Sequence, residues 1–374
     1  MGHAYTPGLK VSAAAEFTRS RRLPIPGEVL VQAGAEVEPD TVVARALLPG
    51  NVSIAHLSKT LGVAAADLPE LMLVEEGAEV KQGQPIARSK GIFGLMKQTA
   101  VAPTTGVLES VSKVSGQAIF REPPIPVDSR AYIAGTVSHV EPGFGVDVTA
   151  RGTMVQGIFG IGPETDGPVM IALDDPSKPL LPEHIKPGHR NAVVVGGSIA
   201  RLDTLKAAVA AGVRAVVTGG IDSADLEELL GYDLGVAITG NETVGLTLVV
   251  TEGFGELTMA RKTLKLLTAA KGLTASVSGA TQIRAGVMRP EVLIPGSVAS
   301  IEETAVDTGM LAVGSAVRII RDPHFGSLAR VDELPPEPRL LETESAVRIL
   351  TVALPDGTRA TLPRANVELV DETL

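Results

Sequence analysis

The chain has 374 residues, no cysteine and a formal net charge of −10, and 44% of its residues are apolar. Without cysteine it has no disulfide, thiolate metal site, iron–sulfur cluster or cysteine nucleophile, and this composition is typical of a cytoplasmic protein. The negative charge disfavours nucleic acids and anionic membranes as partners, and no run of apolar residues is long enough to predict a membrane-spanning helix. Forty glycines and 26 prolines indicate many turns and short strands.

A pattern of valines and a glycine near the N-terminus occurs twice, with an offset of 43 residues. The matching positions are Val31, Gly34, Val37, Val43 and Ala44 in the first copy, and Val74, Gly77, Val80, Ile86 and Ala87 in the second. Each glycine can adopt the positive φ of a tight reversal, and the valines favour strands on either side of it. The repeat therefore predicts one β unit that has been duplicated.

The second copy also carries a resemblance to a known family. Residues 77–86 read Gly-Ala-Glu-Val-Lys-Gln-Gly-Gln-Pro-Ile, and residues 102–106 read Ala-Pro-Thr-Thr-Gly. Together they resemble a biotinyl/lipoyl domain, and we predict such a barrel-sandwich hybrid over residues 20–122. The resemblance implies a carrier lysine on a hairpin, for which Met96-Lys97 is the nearest match. No acidic residue precedes Met96, so we favour a solvated Lys97 without cofactor, with a biotinyl or lipoyl group on Lys97 as the alternative.

Two short regions follow this predicted domain. Residues 127–172 alternate apolar and polar positions between regularly spaced turns, which predicts a β extension. Residues 176–187 are rich in proline and predict a semi-rigid linker.

The region 189–300 has the pattern of a parallel α/β domain with a Rossmann-like sheet. Continuous apolar strands at 191–195, 215–217 and 246–250 alternate with helical spacing, as expected when helices cover both faces of a sheet. Ser223 is the predicted N-cap of a short helix, and a longer helix is predicted over about 256–271.

The ends of these three strands carry glycines and hydroxyl groups. The residues concerned are Gly196, Gly197 and Ser198 after the first strand, Thr218, Gly219 and Gly220 after the second, and Thr251, Glu252 and Gly253 after the third. Strand ends and helix N-termini meet at one edge of a parallel sheet, so these residues are candidates to bind a small anionic ligand. Arg284 could bring a guanidinium to the same edge. Turn formation alone is the favoured alternative, because no dinucleotide or P-loop motif is present.

No complete catalytic or metal-binding set is visible in the sequence. Asp222, Glu252 and Glu256 are the carboxylates nearest the strand ends, but no nucleophile or histidine accompanies them. The six histidines are scattered, and we therefore predict no metal site.

The pattern of the C-terminal region, residues 308–374, again predicts short strands. Gly314, Val317, Arg318, Gly326 and Val331 lie in a pattern that resembles a KOW motif in an SH3-like barrel. The resemblance implies a module of the kind found in transcription-elongation and ribosomal proteins. However, residues 305–374 hold seven arginines, no lysine and eleven carboxylates, which favours protein docking over RNA binding.

The sequence as a whole predicts a non-catalytic cytoplasmic accessory or scaffold protein that docks onto a larger assembly. Its expected partner is a protein, with a small anionic ligand at the strand ends as a second partner and with neither nucleic acid nor membrane. One alternative is an enzyme that acts on a phosphorylated or nucleotide substrate at that edge. The other is a transcription- or translation-associated factor that acts through its KOW-like barrel.

Overall fold

The structure is a computed structural model that describes residues 9–90, 97–232, 242, 244–281, 288–296, 311–321, 324, 327–340 and 346–369. It is a mixed α/β multidomain protein built mostly of strands. One large mixed sheet with a parallel segment is accompanied by several small antiparallel sheets. The predicted combination of α/β and all-β structure is confirmed at this level.

The strands and helices are named here in chain order. The N-terminal strands are β1 (Val11–Arg22), β2 (Glu28–Val29), β3 (Glu36–Val37), β4 (Val42–Leu48), β5 (Val52–His56), β6 (Glu79–Val80), β7 (Pro85–Arg88), β8 (Thr99–Val101), β9 (Gly106–Val111), β10 (Gln117–Arg121), β11 (Ile125–Arg130) and β12 (Gly135–Glu141). The central strands are β13 (Gly145–Gln156), β14 (Phe159–Ile161), β15 (Thr165–Ile171), β16 (Val193–Val195), β17 (Ala215–Ile221), β18 (Thr247–Phe254), β19 (Thr274–Ser278) and β20 (Glu291–Pro295). The C-terminal strands are β21 (Ala316–Ile319), β22 (Leu328–Glu333), β23 (Arg339–Leu340), β24 (Ala346–Val347), β25 (Ile349–Ala353), β26 (Arg359–Pro363) and β27 (Val367–Leu369). The α-helices are α1 (Leu57–Leu61), α2 (Leu202–Ala211), α3 (Ser223–Leu230) and α4 (Arg261–Ala269).

The duplicated pattern folds into two related β units, one inserted into the other. In the outer unit, β3 pairs with β12 and β4 pairs with β11, whereas in the inserted unit, residues 51–122, β6 pairs with β9 and β7 pairs with β8. The two repeat glycines make equivalent bonds, because the Gly34 amide donates to Val137 at 2.8 Å and the Gly77 amide donates to Leu108 at 2.7 Å. Both glycines have a positive φ, 85° and 88°, as the tight reversal requires.

The strands that complete the outer unit lie beyond residue 122, in the region predicted as a β extension. Ala102 in the inserted unit and Ala131 in the outer unit occupy matching positions, since their amides donate to Gln84 at 2.8 Å and to Thr41 at 2.9 Å. The two alanines are 29 residues apart, and the first halves of the units are 43 apart. The insertion changes the spacing, so one sequence offset cannot reveal both halves of the duplication.

The large sheet has the strand order β14-β18-β17-β16-β15-β19-β20-β13-β12-β3, and β1 pairs with β13. The neighbours from β15 to β18 are parallel, as the apolar strands of the predicted α/β domain suggested, and the remaining pairings are antiparallel. Strands β13, β14 and β15 come from the predicted extension. The sheet therefore joins the outer unit and the α/β region into one continuous structure.

Two predicted helix starts differ from the structure. The helix α3 begins after Asp222, whose carboxylate accepts a hydrogen bond from the Ala224 amide at 2.9 Å, so Asp222 is the N-cap rather than Ser223. The helix α4 begins at Arg261 rather than near residue 256. The preceding residues are held differently, because the Leu257 amide donates to the Ser198 carbonyl at 3.0 Å.

The C-terminal region forms an antiparallel sheet with the order β26-β25-β22-β21-β27, around a core that includes Val317, Ile319 and Leu350. A 3₁₀ turn, Arg364–Asn366, precedes the last strand. Ile320 at the end of β21 is buried in the apolar cluster of the central sheet, together with Phe159. The C-terminal sheet therefore packs directly against the central sheet.

Candidate functional site

The structure brings the strand-end residues together at one edge of the parallel segment. Gly196, Gly197 and Ser198 follow β16, whereas Thr218 to Gly220 lie within β17 and Thr251 to Gly253 lie within β18. Gly220 is in register with Gly253, and the Gly219 amide donates to the Gly197 carbonyl at 3.0 Å. Arg284, the predicted guanidinium donor, lies outside the described residues.

The polar groups of this edge bond to the chain itself. The amides of Gly196 and Ser198 donate to the carbonyls of Val217 and Lys178 at 3.0 and 2.8 Å. The Thr218 hydroxyl donates to the Gly197 carbonyl, and the Thr251 hydroxyl donates to the Thr218 carbonyl, each at 3.2 Å. Ser198, Thr218 and Thr251 are at most 2% exposed. These groups therefore satisfy buried backbone rather than an open ligand site.

The glycines of the edge permit close approach of two covering segments. A Cβ on Gly197 would lie 2.6 Å from the amide nitrogen of Leu180, which belongs to the proline-rich region predicted as a linker. A Cβ on Gly219 or Gly220 would overlap the carbonyl oxygen of Leu257 or Gly255. Leu180 is buried, and its amide donates to Ile199 at 2.8 Å, so the 176–187 region lies against the strand ends.

The N-terminus of α2, the helix that follows the first strand end, already faces carboxylates. The Leu202 amide donates to the Asp225 carboxylate at 3.3 Å. The Arg201 guanidinium lies 3.9 Å from both Asp222 and Asp225. A carboxylate stabilises the positive end of the helix dipole, so an additional anion here would meet negative charge.

Glu252, a candidate ligand residue, takes part in a buried ion network that joins two sheets. Its carboxylate is 2.9 Å from the Arg318 guanidinium and also accepts the Ala260 amide at 3.0 Å. Arg318 contacts Glu368 at 3.0 Å, and Glu368 contacts Arg289 at 2.5 Å. The two arginines balance the two glutamates, and Glu252, Arg318 and Glu368 are all at least nine-tenths buried. The network connects β18 and the residue Arg289, just before β20, to β21 and β27.

Two donors of this network, Arg318 Nε and Arg289 Nη1, are buried and have no hydrogen-bond partner among the described residues. The other carboxylates near the edge also have structural partners, since Asp222 caps α3 and Glu256 accepts the Ser198 hydroxyl at 3.2 Å. Among the described residues of this edge, we therefore find pairs that hold the chain in place rather than an acid facing a base.

The candidate carrier lysine lies in the inserted unit. Lys97 is exposed in the segment that joins β7 and β8, and Met96 lies outside the described residues. The next residue is held in place, because the Gln98 amide donates to the Ser89 hydroxyl at 2.8 Å. Lys97 is thus accessible on a hairpin. This arrangement suits both a solvated lysine without cofactor and a lysine that carries a biotinyl or lipoyl group.

In the part of the chain that the structure describes, no cluster of three or more histidine, aspartate or glutamate side chains is placed to hold a metal ion. No helix there combines the length and apolarity needed to cross a bilayer.

The sequence contained a signal for the ion network that its interpretation missed. Arg318 lies between Val317 and Ile319, and Glu368 lies between Val367 and Leu369, so each charge interrupts a strand of buried or partly buried apolar residues. A buried charge requires an oppositely charged partner, and this pattern could have predicted that these two residues are paired.

The chain was also compared with known proteins. No protein-family model matches it, and no curated protein is similar enough to count as a relative. The interpretation of function therefore rests on the geometry described above.

Proposed function

We propose that this protein is a non-catalytic accessory or scaffold protein that docks onto a larger protein assembly. The observation that carries the proposal is that the polar groups at the strand ends already bond to other groups of the chain. The hydroxyl groups of Thr218 and Thr251 bond to backbone, and Glu252 is paired with Arg318. An edge built in this way supports packing of the chain, whereas an enzyme site needs groups that are free to meet a substrate.

The distribution of exposed apolar side chains supports docking through the N-terminal units. Among the described residues, nine of the fifteen large apolar residues that are exposed lie between residues 30 and 144, although that region is about a third of the chain. One of them, Leu47, is 59% exposed on β4, opposite the exposed Pro126 of β11. Exposed apolar residues on a small sheet are suited to contact with another protein.

Each alternative function has less support from the geometry. A phosphorylated or nucleotide substrate would have to reach hydroxyl groups that are at most 2% exposed. Binding of RNA by the KOW-like barrel would favour a net basic surface, but carboxylates outnumber arginines in residues 305–374, and Arg318 is paired with Glu252 and Glu368 inside the protein.

The proposal can be tested by affinity capture from the native host with three forms of the full chain. These are the wild type, Leu47→Glu, and the matched control Val313→Glu, which alters a residue that is 64% exposed. We expect the wild type and the control to retain the same protein partner, and Leu47→Glu to lose it. Capture of no specific protein by the wild type, or turnover of a phosphorylated compound by the pure protein, would overturn the proposal.

A further inference from the structure

The strand β5 forms one edge of a four-stranded sheet in the inserted unit. The order of this sheet is β5-β10-β9-β6, and among the described residues β10 is the only strand that pairs with β5. Val52 and Ile54 are 49% and 52% exposed. The strand therefore presents one open side and an apolar outer face.

The register of β5 on β10 shows which backbone groups point to the open side. The Glu122 amide donates to the Asn51 carbonyl at 2.9 Å, and Val52 is directly opposite Arg121. In an antiparallel ladder, alternate residues bond to the same neighbour, so Asn51, Ser53 and Ala55 bond towards β10. The amides and carbonyls of Val52 and Ile54 and the amide of His56 then point away from the sheet, whereas the His56 carbonyl accepts the Thr60 hydroxyl at 3.0 Å.

The open edge lacks the features that usually prevent strand association. The other edge strands of four or more described residues are protected by charge or proline, as in β11 with Pro126 and Asp128 and in β26 with Arg359 and Pro363. The strand β5 reads Val-Ser-Ile-Ala-His, with no lysine, arginine, acidic residue or proline. Such an edge is a template for another strand unless a partner covers it.

We propose that a second copy of this chain covers β5, through antiparallel pairing of the two β5 strands about a twofold axis at Ile54. The pairing places Ile54 opposite the partner's Ile54 and Val52 opposite the partner's His56. It unites two four-stranded sheets into one sheet and forms about four backbone hydrogen bonds. A twofold interface of this kind is the commonest way in which identical chains associate.

Charge favours a second copy as the occupant. The chain as a whole has a net charge of −10, which opposes self-association at long range. The inserted unit, residues 51–122, has seven basic and seven acidic residues and is therefore neutral. The two units can approach each other without net repulsion, and the pairing places no charged residue of β5 against a like charge. Leu47 lies on β4 rather than on β5, so the dimer can be tested independently of the proposed docking function.

Sedimentation of the full chain over a range of concentrations tests the dimer. We expect the wild type to form a dimer, and Ile54→Lys to weaken the dimer at least about tenfold, because two lysines would meet at the axis. The matched control is Val114→Lys, at a residue that is 94% exposed in the turn between β9 and β10, which should dimerise like the wild type. A mixture of Ile54→Lys with Ile54→Glu should restore the dimer, which a merely misfolded variant would not do.

The absence of cysteine provides a second measurement of the register. Mild oxidation of Ile54→Cys should give a covalent dimer, because residues at the axis of an antiparallel pair lie within disulfide distance, whereas Val114→Cys should remain mostly uncrosslinked. A wild type that stays monomeric at high concentration would overturn the proposal. So would a dimer that Ile54→Lys leaves intact, which would place the interface elsewhere.

Discussion

Arg318 of the C-terminal sheet and Glu252 of the central sheet form a buried ion pair with an N–O distance of 2.9 Å. The two residues are 66 positions apart in sequence. Glu368 shares Arg318 at 3.0 Å, so the guanidinium lies between a carboxylate of each sheet. Together with the burial of Ile320 in the central apolar cluster, this pair fixes how the C-terminal sheet lies on the central one.

Replacement of Arg318 should strongly destabilise the protein. Arg318→Met would leave the buried Glu252 carboxylate without its cation, and loss of one partner of a buried pair typically costs about 3–5 kcal/mol. Urea denaturation monitored by circular dichroism should show the loss. The control is Arg359→Met, which breaks the Arg359–Asp332 pair, where the arginine side chain is 65% exposed, and should cost at most about 1 kcal/mol. Equal effects of the two variants would contradict the structural role of Arg318.

A methyl group at Gly219 should also destabilise the fold. The Cβ of Gly219→Ala would overlap the carbonyl oxygen of Leu257, and the covering segment would have to move, at a cost of about 1–3 kcal/mol. Gly188→Ala is the matched control, because no atom lies within 4 Å of its Cβ position, and it should change stability by less than about 0.5 kcal/mol.

The Gly219 variant also distinguishes packing from ligand binding at the strand ends. If the glycines serve packing, the melting temperature of Gly219→Ala should fall, and phosphate-bearing compounds should shift neither protein. A wild-type protein that is stabilised by such a compound, together with a Gly219→Ala variant that is not, would instead favour the anion site.

The two units of the duplication should respond equally to the same substitution. Gly34 and Gly77 have φ values of 85° and 88°, and each has open space where a Cβ would lie. The strain of a left-handed alanine exceeds the entropic gain in the unfolded chain, so Gly34→Ala and Gly77→Ala should each cost about 1 kcal/mol. Chemical denaturation of the two variants measures this cost. A large cost at one glycine and none at the other would mean that the two turns are not equivalent.

The sequence predicted local features of this fold, such as strands and turns, better than it predicted which segments contact each other. The valine and glycine pattern indicated two β units, because turn and strand preferences are local. It did not indicate that Ala131 completes the first unit, since an insertion of variable length separates the two halves. Paired glycines such as Gly219 and Gly220 suit the close approach of a ligand and of another segment equally well. Only the position of Leu257 distinguishes the two, and that position depends on tertiary packing.

The ion network shows that a buried charge can be recognised in a sequence although its partner cannot. The charge of Arg318 within an apolar strand was visible in the sequence, but its partner Glu252 lies on a different sheet. Glu252 therefore looked like a ligand residue, because it follows a run of apolar residues at a strand end. A residue whose partner is distant in sequence is easily mistaken for a residue with a free functional group.

The stability of the protein should depend on pH through His189, which is 6% exposed at the end of a 3₁₀ turn, Pro187–His189. Its Nδ1 accepts the Lys186 amide at 3.3 Å, and this bond requires an unprotonated Nδ1. Burial and, secondarily, the nearby charge of Lys186 lower the pKa of His189 below the ordinary value of 6.5. The unfolded chain therefore binds a proton more readily than the folded protein.

It follows that the free energy of unfolding should decrease as the pH falls through about 6.5, until the lower pKa of the folded protein is passed. His189→Asn keeps an oxygen that can accept the Lys186 amide but does not titrate, so it should lose this part of the pH dependence. Urea denaturation at about pH 7.5 and about pH 5.5 measures the difference. An unchanged pH dependence in His189→Asn would show that burial of His189 is not its cause.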